Sequence, residues 1–191
     1  WPRHMWELIT GLTETVRGHG DLFAYRSVET DVLAFCLERV TGKRLPQLLS
    51  EEIWQKMGAE ESGCITVDSA GYALASGGLN ATLRDYGQLV LENGGDIIPA
   101  PWIEATRSGD HSKFKEPYTF SIPQGAYKNQ FWIEDPSSRA ILAKGVFGQL
   151  IYINWDYNMA VVKLSSWPDF LNRPFDVATF RAIHVIGKTL G

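Results

Sequence analysis

The sequence predicts an α+β fold in which helices pack on an antiparallel sheet. Three observations carry that expectation. Apolar residues recur every three or four positions through the first half, the spacing of amphipathic helices. In the last third the pattern changes to short alternating or continuously apolar runs separated by turn residues, as in consecutive antiparallel hairpins. A helical stretch over 174–190 then closes the chain, with Phe175, Ala178, Ala182, Ile186 and Leu190 expected on its buried side. A chain of 191 residues makes one domain or a large part of one.

Taken in order, 5–16 predicts a short helix with Trp6, Ile9, Leu12 and Val16 on one face, broken by Gly18-His19-Gly20. The stretch 23–42 organises the rest of the chain. Its second half predicts a helix with Val32, Leu33, Cys36, Leu37 and Val40 on the apolar side, Ser27 as N-cap and Gly42 as the left-handed exit. Tyr25 therefore falls just before a helix N-terminus, where unpaired N–H groups favour negative charge. A second helix is expected over 45–57, with Pro46 in its first turn and Gly58 as its stop. A short extended run over 64–67 and a turn over 68–71 come next. Thr82 with Asp85 resembles a capping box opening a helix over 83–91. Residues 97–123 are irregular, broken by Pro99, Pro101, Pro117 and Pro123. Strands are expected over 127–133, 140–143, 150–154 and 159–164.

Composition narrows the function classes. A net charge of −4 gives no support to nucleic-acid binding or to an anionic membrane surface. No run of eighteen apolar residues spans a membrane. The four His and two Cys lack metal-ligand spacing, and Cys36 is expected to be a buried free thiol. The Gly77-Gly78 pair precedes a helix, but neither phosphate-loop pattern is present, so no nucleotide site and no cofactor are expected. Twelve per cent aromatics is rich enough for some to line an apolar cleft.

Two short motifs carry chemistry. The first is Tyr25-Arg26-Ser27 before a helix with Asp31-Val32-Leu33 and Glu38-Arg39-Val40-Thr41-Gly42. On its residues alone it reads as an aromatic packed under a helix cap. The second is Lys144-Gly145-Val146-Phe147-Gly148-Gln149 between two strands, which alone reads as a hairpin turn with two glycines. Together, and in this order, they resemble the second and third motifs of the serine β-lactamase and penicillin-binding-protein superfamily. They are most similar to the branch of class C β-lactamases, esterases and 6-aminohexanoate-dimer hydrolases. The run Gly77-Gly78-Leu79-Asn80-Ala81-Thr82 resembles that family's helical-domain loop, so the resemblance runs from about Phe23 to the end.

The resemblance implies a β-lactamase-like fold. Residues 1–125 would be part of the helical region, and 126–191 the C-terminal strands and closing helix of one catalytic domain. It implies that Tyr25 shuttles the proton of a nucleophilic serine and that the Val146 N–H shares the oxyanion hole. Tyr25 and Val146 are then expected near one another. Ser27, Trp132, Lys144 and Gly145 are the expected substrate-binding residues. Gly145 would let a carbonyl approach closely, and Trp132 would wall an apolar or amide-bearing substrate. Ala143 and Lys144 depart from the family's Lys-Thr-Gly, which favours amide and ester hydrolysis over β-lactam recognition.

Ser112-Lys113-Phe114-Lys115 spells the family's nucleophile pattern, but it comes after the tyrosine motif and sits in a charged irregular stretch, so it is expected to be a coincidence. No serine precedes Tyr25. The chain is therefore expected to be a C-terminal portion lacking its Ser-x-x-Lys, inactive alone and in need of the missing half or another copy to cover bare surfaces. The expected partner of the whole protein is a small amide or ester substrate, with the cytoplasm as default location. The alternative is a non-catalytic binding module that keeps the fold.

Overall fold

The computed structural model describes residues 4–91 and 97–190. They form two compact units that divide between Asp85 and Tyr86. The change of character expected at 125/126 is not the boundary; residues 100–125 share a unit with the sheet.

The first unit begins with α1 (Met5–Gly11), whose first turn is capped by the His4 ring on the Glu7 N–H. The helix ends at Gly11, short of the expected Val16. The Met5 N–H donates to the Asp68 carboxylate at 2.7 Å, tying α1 to the turn over 68–71. The helix α2 (Ser27–Thr41) leaves at Gly42, whose φ of 69° is left-handed and whose N–H closes on Glu38 O. Its N-cap is Arg26 rather than Ser27, and no side chain caps it. Next, α3 (Leu45–Leu49), with Pro46 in its first turn, runs on into a π-helical turn at Ser50–Trp54. Then β1 (Cys64–Ile65) pairs antiparallel with β2 (Leu79–Asn80). The unit boundary falls within α4 (Leu83–Leu91). Thr82 caps that helix, its hydroxyl accepting from the Asp85 N–H and donating to the Asp85 carboxylate.

The apolar stripe expected to bury α2 does not. Leu33, Leu37 and Val40 are 50%, 51% and 86% exposed, and Cys36 is an exposed thiol. The helix instead packs through Asp31 and Ala34, with Phe35 stacked between Trp6 and Tyr72. The reason is geometric: Asp31, Ala34, Phe35 and Glu38 share a face at helical spacing, on the side of the helix opposite the apolar one.

In the second unit, α5 (Ala100–Arg107) and two 3₁₀ turns, His111–Lys113 and Tyr118–Phe120, lead into a five-stranded antiparallel sheet. Its strands are β3 (Ala126–Lys128), β4 (Phe131–Ile133), β5 (Ala140–Lys144), β6 (Leu150–Asn154) and β7 (Met159–Lys163), in sequential order. The single strand expected over 127–133 is a hairpin. Asn129 and Gln130 have φ of 51° and 69°, the pair of left-handed residues that a two-residue turn matching strand twist requires. Ile133 pairs with Ile141 and Ile141 with Ile153, stacking one core face. Gly109 backs onto that face, where a Cβ would strike Ile133 and Ala126.

Finally, α6 (Arg173–Leu190) closes the unit, but through Phe180, Ile183 and Gly187. The face expected to be buried, with Phe175, Ile186 and Leu190, is exposed. This helix carries two apolar stripes, and the described chain covers one. The covered stripe is fastened by a polar network: Glu134 accepts from the Tyr152 hydroxyl at 2.6 Å and pairs with His184 Nε2 at 2.6 Å. Burial, then the Glu134 carboxylate, push the Tyr152 phenol well up, so it stays protonated and donates.

Leu142 is fully buried on the middle strand. Leu142→Ala should cost about 2–5 kcal/mol in denaturant unfolding, whereas Leu164→Ala, at a half-exposed position, should stay within about 0.5 kcal/mol. Equal losses would contradict this core assignment.

Candidate active site

The tyrosine motif belongs to the first unit. Tyr25 lies two residues before α2, 40% exposed, and Ser27 is the first helical residue, also exposed. The backbone here is held from inside the unit. Asp31, in the second turn of α2 and 2% exposed, accepts the Ser76 N–H at 3.1 Å. A buried carboxylate is costly unless it is hydrogen-bonded, so this bond fixes α2 against the loop leading into Gly77-Gly78. A Cβ at Gly78 would strike the Leu74 carbonyl, which accounts for glycine where that loop doubles back. The sequence shows Asp31 as part of the motif but not its anchoring role. An acid at helical spacing with Ala34 and Phe35 is the available signal.

The second motif is the turn between β5 and β6, and here four expected residues come together. Lys144 ends β5 in register with Leu150 of β6, which is in register with Lys163 of β7. The turn is tightly satisfied: Gly145 N–H donates to Gln149 O at 2.9 Å, Phe147 N–H to Phe170 O at 3.0 Å and Gln149 N–H to Val146 O. The Val146 N–H, on a residue 53% exposed, has no partner among the described residues. A backbone donor fixed before reaction can stabilise developing negative charge without reorganising. Phe147 adopts φ 56°, ψ 24°, a left-handed conformation costing a non-glycine residue about 1–2 kcal/mol. Gly148 follows at φ 83°, and a Cβ there would run into Trp167 and the Ser165 hydroxyl.

Trp132, in register with Leu142, is half-buried among aromatics. Its ring centroid lies 5.2 Å from that of Tyr127, 5.7 Å from Tyr118 and 6.1 Å from Phe114. The Lys144 ammonium sits 5.7 Å from its centre and 5.6 Å from the centre of Phe180, and pairs with the Asp176 carboxylate on α6. That partner directs the ammonium toward α6, so the strand end leading into Gly145 is anchored to the closing helix.

Ser112 is exposed on the His111–Lys113 turn, and its hydroxyl donates to Asp110 at 2.6 Å. The hydroxyl is committed to a carboxylate on an open turn rather than to the lysine or histidine base that activates a nucleophilic serine. Among the described residues no cluster of three or more His, Cys, Asp or Glu could hold a metal, and no helix is long and apolar enough to cross a membrane. The residues that the sequence alone does not single out are Gln149 as a side chain, Lys163, Ser165 and Trp167, which brace the turn from the β7 side. A lysine ending an apolar strand is their only signal.

The Beta-lactamase family pattern matches residues 10–185. The chain is 35% identical over 179 residues to the 6-aminohexanoate-dimer hydrolase of Paenarthrobacter ureafaciens, covering 88% of this chain and 45% of that protein. It superposes with a TM-score of 0.81 and 29% identity on a solved structure named "Putative 6-aminohexanoate-dimer hydrolase from Bacillus anthracis", covering 95% of this chain and 47% of that one. A further solved structure, named "putative beta-lactamase from Bacteroides dorei DSM 17855", matches at 21% identity with a TM-score of 0.65 and supports the fold alone. The chain thus spans about half the length of its 6-aminohexanoate-dimer hydrolase relatives. Since the family pattern runs over most of its residues, the chain belongs to the beta-lactamase family and has its fold.

Proposed function

We propose that this chain is the C-terminal part of a serine hydrolase that cleaves small amides or esters, with linear 6-aminohexanoate-type amides as the leading substrate class. The single observation that carries the reading is the unpartnered, exposed Val146 N–H on a braced turn. In this reading a serine supplied by the rest of the protein attacks the carbonyl carbon, and Tyr25 relays the serine proton together with the lysine of the same missing motif, taking one proton as it passes its own on. The carbonyl oxygen becomes an oxyanion that accepts from the Val146 N–H. Collapse expels the amine or alcohol, which takes the proton back through Tyr25, and water then releases the acyl group by the same steps. Ser27 contributes polar contacts beside the tyrosine, Gly145 allows close approach, and Trp132 offers an aromatic wall to an aliphatic amide. Lys144 serves through its Asp176 pair, holding the strand end from which Gly145 and Val146 extend. The 35% identity to a protein named for that dimer supports the substrate class.

The partner reading rests on bare surface. The α2 stripe of Leu33, Leu37 and Val40 and the outer stripe of α6 are apolar surface that monomers seldom expose, and the outer edge of β7 pairs with no strand among the described residues. We propose that the remaining half of the protein covers them.

In the full-length protein, Tyr25→Phe should lower kcat on a 6-aminohexanoate dimer or a p-nitrophenyl ester by about 10²–10⁴-fold with KM nearly constant. Ser112→Ala should leave both parameters unchanged. Wild-type turnover in Tyr25→Phe would refute the proton-transfer role, as fluorophosphonate labelling of Ser112 would refute the upstream nucleophile. In sedimentation, the isolated 191-residue chain should self-associate at micromolar concentration. A cooperatively folding monomer there would show that the bare surfaces need no cover.

A further inference from the structure

The bracing of the 145–149 turn comes from one side, the end of β7 and the segment after it. Lys163 ends that strand across Leu150 from Lys144. Its ammonium donates to the Gly148 carbonyl at 2.8 Å and to the Ser165 hydroxyl at 2.8 Å, and lies 4.5 Å from the centre of the Trp167 ring. The Ser165 hydroxyl donates its own proton to the Phe147 carbonyl at 2.9 Å, and the Trp167 backbone N–H donates to that same carbonyl. The Gln149 side chain completes the frame, donating to Ser165 O and accepting the Ser165 N–H at 3.0 Å. The carbonyls of two successive left-handed residues, Phe147 and Gly148, are therefore held by one cation, the hydroxyl it touches and the Trp167 N–H.

That arrangement bears on Val146. A left-handed Phe147 is an unfavourable conformation that persists only where its surroundings over-determine it. With Phe147 relaxed to the ordinary right-handed or extended regions, the Val146–Phe147 peptide plane rotates, the Val146 carbonyl turns from the Gln149 N–H that holds it, and the adjoining Gly145–Val146 amide is no longer held in one direction. A braced donor matters because oxyanion stabilisation depends on a donor fixed at the right distance and direction before the charge develops.

We propose that Lys163 is a positioning residue for the hydrolytic reaction: by holding the Gly148 carbonyl and, through Ser165, the Phe147 carbonyl, it keeps the Val146 N–H aimed at the developing oxyanion. This rests on the oxyanion reading of Val146. Burial lowers the Lys163 pKa while Asp176 opposes that shift, which fits a cation held partly out of water. Lys144, the other ammonium at this end of the sheet, is engaged by Asp176.

The test uses the full-length protein labelled with ¹⁵N-valine, comparing wild type, Lys163→Met, Lys163→Arg and Ser165→Ala. Lys163→Met keeps the stem and removes the charge. It should displace the Val146 amide signal, speed its hydrogen exchange about tenfold or more, and lower kcat about 10–100-fold with KM within about twofold. Lys163→Arg should restore part of both. An unmoved Val146 signal would overturn the proposal. A displaced signal with wild-type kcat would also overturn it, and would additionally remove Val146 from the oxyanion hole, so failure of the brace and failure of the site read differently. If Lys163→Met does not fold, Ser165→Ala asks the same question with the ammonium retained: its Val146 signal must move, and an unchanged one refutes the brace.

Discussion

The structure of the second unit depends on one register, in which Lys144, Leu150 and Lys163 lie side by side across three antiparallel strands. That register places a two-lysine row at the mouth of the β5–β6 turn, and each lysine is committed in a different direction. Lys144 reaches the Asp176 carboxylate on α6, while Lys163 reaches back to the turn's own carbonyl. A slip of one residue would turn both side chains to the opposite face and replace them with apolar neighbours. The core forbids that slip, because Ile133, Ile141 and Ile153 would leave their stack together.

The same row explains how a strained element survives. The left-handed pair Phe147 and Gly148 is unfavourable in isolation, yet the N–H and C=O of Phe147 and the C=O of Gly148 are satisfied from the segment after β7. Hydrogen bonds to a charged donor contribute about 1.5–3 kcal/mol each, enough to offset the conformational cost. The Val146 N–H has no partner among the described residues, and it belongs to an exposed residue.

Much of this is legible in the sequence, and the failures share a physical cause. Helix and strand periods locate most elements, although α5 falls in the stretch expected to be irregular, and turn chemistry places Gly42, Gly58 and Thr82 in their observed roles. The split of 127–133 into a hairpin escapes the pattern because Asn-Gln is a weaker turn signal than Asn-Gly, although asparagine accepts a left-handed φ readily. Counting apolar residues selects the wrong buried face on both α2 and α6. Each helix carries an apolar stripe that the described chain does not cover, so hydrophobicity alone does not say which face packs internally. Asp31 and Ala34 win on α2 because a carboxylate with an amide to accept and a small residue fit a close backbone approach. The brace at Lys163 lies beyond sequence reading because its partners are main-chain carbonyls, which carry no residue identity.

If the Val146 N–H is the protein's donor to the reacting oxygen, one structure shows it most directly. The full-length enzyme inhibited with a phosphonate that attaches to its nucleophilic serine should place a phosphoryl oxygen about 2.7–3.1 Å from the Val146 nitrogen, with Phe147 still left-handed. A phosphoryl oxygen bound elsewhere, with the Val146 N–H facing only water, would contradict it.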